Sequence, residues 1–101
     1  MAVDVDAIIA FESGELSEQE EAKFLQKIIN DGSVWGLQGV YGRTAMEAIE
    51  KGLCLLGNQG FKDYYGNYVP SRNEAKEGTK GTVSYSVARQ GQAWADLIVN
   101  I

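Results

Sequence analysis

The stretch "LSEQEEAKFLQKIINDG", Leu16 to Gly32, decides the fold class. Ser17 stands where a hydroxyl caps the free N–H groups of a first helical turn, and Glu20 three residues on answers it, the capping-box arrangement. Asp31-Gly32 supplies the stop, because glycine takes the left-handed conformation that ends helices. Between these signals Leu25, Ile28 and Ile29, joined by Phe24, form an apolar face at helical spacing. A helix with one apolar face needs other elements to cover it, and the flanking segments supply candidates.

Upstream, Val3, Ala7, Ile8 and Phe11 also recur at helical spacing, with Asp4 and Asp6 near the start, where the helix dipole favours negative charge. They predict a short helix ending near Glu12-Ser13-Gly14. Downstream, Val34-Trp35 leads into "LQGVYGRTAMEAIEKGL", Leu37 to Leu53. Tyr41, Ala45, Ala48 and Ile49 lie at i, i+4, i+7 and i+8, which predicts a helix to about Lys51 with Gly52 as its terminator. Gly36, Gly39 and Gly42 stand three apart ahead of it, each unfavourable in a helix by up to about 1 kcal/mol relative to alanine. One explanation is close packing of a ring or backbone against them, with Arg43 paired to Glu47 at i+4. The other is a pocket in which glycine N–H groups, Tyr41 and Arg43 hold an anionic group. The spacing matches neither common phosphate-loop pattern, so the expectation is chiefly a close-packing device.

From Gly57 to Gly81 glycines, tyrosines and lysines replace helical periodicity, and the only proline, Pro70, falls here. Phe61 to Val69 predicts a short hairpin about Gly66-Asn67, and Ser71 with Glu74 predicts a capped turn over residues 72–77. Tyr64, Tyr65, Tyr68 and Arg72 gather here with Lys62, Lys76 and Lys80. Rings interleaved with bases stack on nucleotides, and tyrosine with arginine equally builds protein–protein hot spots. The second use suits an acidic chain better. The end, from Thr82, places Val83, Val87, Trp94, Ile98 and Ile101 on one stripe and predicts a single last helix. Leu97 and Val99 make its final turn apolar nearly all round, so Val87, Trp94, Leu97 and Ile98 are candidates for self-association or docking.

These elements give one mainly α domain over residues 1–101. Three to four helices are expected, with an acidic helical half (1–54), a Gly/Tyr/Lys-rich loop or short hairpin (55–81) and a C-terminal helix (82–101). At 45% hydrophobic and 23% charged residues the chain has the balance of one small globular domain. Its single cysteine, Cys54, lies among apolar neighbours and is expected to be buried. With no histidine, neither a Ser-His-Asp triad nor a Cys/His zinc site can be assembled, so no catalytic residue, metal or cofactor is expected. The N-terminus lacks the pattern of a signal peptide and no apolar run reaches membrane-spanning length, so a cytoplasmic location and no membrane partner are expected. Residues 1–50 carry ten acids and three bases, and residues 51–101 four acids and six bases. The acidic half repels phosphate backbones and suits a basic protein partner. The helix at Tyr41–Lys51 offers only Arg43 and Lys51 against Glu47 and Glu50, a poor face for reading DNA.

The first half also resembles a small family of uncharacterised proteins encoded mainly by tailed bacteriophages. The likeness rests on Glu12-Ser13-Gly14-Glu15-Leu16-Ser17-Glu18, Asp31-Gly32, Trp35, Leu37-Gln38-Gly39, Tyr41-Gly42-Arg43 and Gly52-Leu53-Cys54, in order and spacing. The chain departs from the family pattern at Leu25, where phenylalanine is usual, and in joining Asp31 directly to Gly32. The resemblance implies a phage accessory protein of the host cytoplasm that binds and modulates a host protein without catalysis. A nucleotide sponge acting through Gly39, Tyr41, Gly42, Arg43 and the tyrosine loop is the alternative expectation. The surface to test is Tyr41, Arg43, Tyr64, Tyr65, Tyr68 and Arg72.

Overall fold

In the computed structural model, residues 5–37, 39–63 and 65–101 are described, the side chains of 5–8 excepted. The chain runs α1 (Val5–Ser13), α2 (Glu18–Asn30), α3 (Ser33–Gly36), α4 (Gly39–Glu50), β1 (Phe61–Lys62), β2 (Tyr68–Val69), α5 (Val83–Gln90) and α6 (Gln92–Val99). It is a small, mainly helical domain with a short hairpin ahead of its C-terminal helices. Among the described residues no helix is long and apolar enough to cross a membrane.

Helix α2 forms as its sequence dictates. Ser17 Oγ accepts from the Glu20 N–H at 3.2 Å, and the Ser17 N–H donates to the Glu20 carboxylate at 3.0 Å. That backbone donor, foremost, holds the Glu20 carboxyl below its ordinary range. Phe24, Leu25, Ile28 and Ile29 are buried, and with Val34, Trp35 and Ile49 they make up much of one core. Phe11 of α1 reaches this core through the Phe24 ring, 5.3 Å away between centroids. Val3 of the predicted first helix lies outside the described residues, as do the side chains of Ala7 and Ile8.

Gln26 is fully buried on the same face. Beside it the segment Cys54-Leu55-Leu56 crosses the interior with no strand to pair with, so side chains must satisfy its backbone. The Gln26 amide does so as a strand neighbour would, accepting from the Leu55 N–H at 2.7 Å and donating to the Leu55 carbonyl at 3.1 Å. Arg72 Nε donates to the Leu56 carbonyl at 2.8 Å, and the Leu56 N–H donates to the Gly81 carbonyl at 3.1 Å. Asn30 joins the two supports, accepting from Gln26 Nε2 at 2.9 Å and from Arg72 Nη2 at 3.2 Å.

The C-terminal region departs from expectation. The predicted single helix from Thr82 is two helices, and with the one-turn α3 this raises the count from three or four to six among the described residues. Gly91 sits at φ 94°, ψ 162°, a conformation open to glycine that closes α5 and starts α6. The chain therefore folds back on itself, and α5 packs on α6. The pair satisfies the carbonyls at and just past the C-terminal end of α4, where the chain leaves the helix. Tyr85 donates to the Glu50 carbonyl at 2.5 Å, Gln90 to Lys51 at 2.9 Å, Ser86 to Gly52 at 2.7 Å and Trp94 Nε1 to Leu53 at 3.0 Å. The stripe expected to dock elsewhere is thus largely turned inward: Ile98 is fully buried, Trp94 holds Leu53, and Val87 and Leu97 are half-buried.

Cys54 is buried, and desolvation pushes its thiol up to about 12 from an ordinary 9.0. A folded-state value above the unfolded one contributes stability fully present below the unfolded value and lost as pH rises toward the folded one. Between pH 9 and 10 this thiol is expected to remove about 1 kcal/mol of stability. Urea unfolding at the two pH values checks it: Cys54→Ala should show a slope shallower by that amount, and equal slopes would refute the burial.

Candidate functional site

One wall of the principal cleft is a single face of α4. Gly39, Gly42, Arg43, Met46 and Ile49 recur at three- and four-residue spacing, which brings them to one side of the helix. The opposite wall is the hairpin, fixed by its own turn: Asp63 Oδ1 accepts from the Tyr65 N–H at 2.9 Å and the Asn67 N–H at 2.8 Å. Phe61 anchors that hairpin by lying against Gly32, where φ is 81° and an added Cβ would overlap the ring. Trp35, Leu37 and Leu56 close the cleft from the core side, and Val69, Pro70 and Ala75 continue its apolar lining. The half-open cleft has a volume of about 690 Å³, within the range of sites that hold small molecules or partner side chains.

Of Gly36, Gly39 and Gly42, only Gly39 shows the close approach expected of a packing device. A Cβ added at Gly36 or Gly42 would meet no heavy atom within 4 Å. At Gly39 it would lie 3.3 Å from the Tyr65 hydroxyl and 3.4 Å from Arg43 Nη1. Gly39 and Gly42 line the cleft, while the tightest approaches fall elsewhere, at Gly32 and Gly60 against the Phe61 and Tyr68 rings and at Gly57 against the Ile29 carbonyl.

Of the six residues proposed from sequence as a binding surface, Arg43, Tyr65 and Tyr68 come together on the cleft. Tyr65 and Tyr68 are 72% and 59% exposed, so large aromatic surface stands at its mouth. Tyr68 is held by donating to both Glu74 carboxylate oxygens, at 2.7 and 2.8 Å, and that bond raises its hydroxyl above the ordinary tyrosine range. Tyr41 and Arg72 are corrections. The Tyr41 hydroxyl bonds Glu12 and its ring faces Phe11, 6.0 Å between centroids, which turns it toward α1. The Arg72 guanidinium holds the Leu56 carbonyl and Asn30, and burial lowers its pKa. Tyr64 lies outside the described residues. The expected Arg43–Glu47 pair does not form, since the one ion pair among the described residues joins Lys80 Nζ to Glu50 at 3.4 Å.

Sequence reasoning missed the apolar lining, Met46, Leu56, Val69 and Pro70 above all. Met46 stood one turn beyond Gly42 and Arg43, a spacing that marks the same helical face. The others come from segments whose placement depends on the hairpin. The arrangement is suited to burying apolar surface and orienting it with a few polar groups. The sequence model of one family, described as a domain of unknown function (DUF7417), matches residues 1–66, which include α1 to α4 and the first strand of the hairpin. No curated protein and no solved structure matches the chain.

Proposed function

We propose that this chain, which belongs to the DUF7417 family of unknown function, is a non-enzymatic phage accessory protein of the host cytoplasm that binds and modulates a host protein. Part of that partner enters the cleft between α4 and the hairpin. The observation that supports binding is the cleft itself, about 690 Å³ lined by apolar side chains and flanked by Arg43 and two exposed tyrosines. Such a surface exposes apolar area at a cost to solubility, and a docking partner removes it from water. The phage origin and the choice of a host protein rest on the sequence resemblance over about residues 9–54.

A nucleotide sponge has less support. Its sequence case used Gly39, Tyr41, Gly42, Arg43 and the tyrosine loop, and Tyr41 is engaged with Glu12 instead. Lys80, the other cation at the cleft, is paired with Glu50. The lining is apolar, a poor match to phosphates.

Affinity capture of the tagged protein from the phage host, with light scattering on the eluate, tests the proposal. A stoichiometric host protein is expected with wild type and absent with a cleft-filling variant. A partner that both retain would move binding to another surface, and a homo-oligomer alone would contradict the host-protein reading.

A further inference from the structure

We infer that the cleft receives a peptide segment of the partner whose large apolar side chain has an acidic residue beside it. This rests on reading the cleft as the binding site. Five charged side chains line it: Arg43, Glu47, Glu50, Asp63 and Lys80. Glu50 and Lys80 neutralise each other at 3.4 Å. Asp63 is tied into the hairpin turn by the Tyr65 and Asn67 N–H groups. Arg43 and Glu47 remain, one helical turn apart, with no ion pair between them among the described residues.

Arg43 lies instead beside Gly39. Helical side chains lean toward the N-terminus, and Arg43 Nη1 comes within 3.4 Å of where a Cβ of residue 39 would stand. The Tyr65 hydroxyl reaches 3.3 Å from the same point. A guanidinium and a hydroxyl therefore converge at one end of an apolar cleft, while Glu47 marks its wall a turn further on. A planar guanidinium pairs best with a carboxylate, in two parallel hydrogen bonds. Glu47 repels a second acid, so the two charges also set the direction in which a segment lies.

A peptide is favoured over a small molecule by the surface outside the cleft. Tyr65 and Tyr68 leave most of their area in solvent beside it. A ligand inside the cleft leaves those rings wet, whereas a segment lying across the mouth covers them, and tyrosine, arginine and tryptophan dominate such contacts.

Selection from a displayed library of random dodecapeptides, with the purified whole chain as bait, tests the inference. Enriched peptides are expected to pair an aromatic or branched aliphatic residue with a nearby Asp or Glu, and Gly42→Leu is expected to retain none of them. With the best peptide made synthetically, Arg43→Glu should weaken binding about tenfold or more, and exchanging the peptide's acid for lysine should restore it. Enriched peptides without an acid, or binding indifferent to Arg43→Glu, would overturn the inference while leaving the cleft as the site. Peptides that Gly42→Leu retains would overturn the cleft reading as well. Failure to enrich any peptide would show a segment to be the wrong occupant.

Discussion

Replacing Gln26 by leucine is expected to lower the stability of the fold by roughly 3 kcal/mol, a large share of what a domain of this size has. The two side chains are similar in volume, so no large cavity opens and the loss is one of hydrogen bonding. In the native chain the Gln26 amide satisfies both the N–H and the carbonyl of Leu55, which is fully buried. Leucine offers neither partner, and each buried backbone group left unpaired costs about 1–3 kcal/mol. Asn30 loses a donor too, which loosens its bridge to Arg72. Thermal unfolding should show a drop on the order of 15 °C. A loss below about 1 kcal/mol would mean that water reaches Leu55 and that the Cys54–Leu56 segment is not held as described.

Filling the cleft at Gly42 is expected to abolish partner binding without harming the fold. A Cβ there meets nothing within 4 Å, and the position is inside α4, so Gly42→Ala should raise stability by about 0.5–1 kcal/mol through helix propensity alone. Gly42→Leu keeps that gain and extends a branched side chain between α4 and the hairpin. Binding to the captured partner should then fall by more than about thirtyfold, roughly the worth of one well-buried anchor residue. The alanine variant should bind nearly as wild type. Melting temperatures for both at or above wild type would separate this effect from unfolding. If leucine bound as well as alanine, the cleft would not be the docking surface.

How much of this was legible in the sequence follows from the range over which each signal acts. Helix α2 was readable because its cap, its stop and its apolar face are local, within Ser17–Gly32. The hairpin was readable for the same reason, through Gly66 and Asn67. The break at Gly91 was missed because a glycine within an apolar stripe is compatible with a continuous helix; what decides it is that α5 and α6 together cap four carbonyls of residues 50–53. Arg72 looked like a ligand group because it sits among tyrosines and lysines, yet its guanidinium holds Leu56, sixteen residues earlier. Tyr41 went astray in the same way, toward Glu12. At Gly39 and Gly42, in the first turn of α4, the residue type was informative but its use was mixed: Gly39 is closely approached by Tyr65 and Arg43, whereas Gly42 borders open space.

Amide chemical-shift mapping with the captured host partner tests the central claim most directly. The account predicts shifts grouped on Leu37–Glu50, on the hairpin around Tyr65 and Tyr68, and in the Trp35 indole N–H. Shifts grouped instead on α1 or on the α5–α6 pair, with the cleft undisturbed, would contradict it.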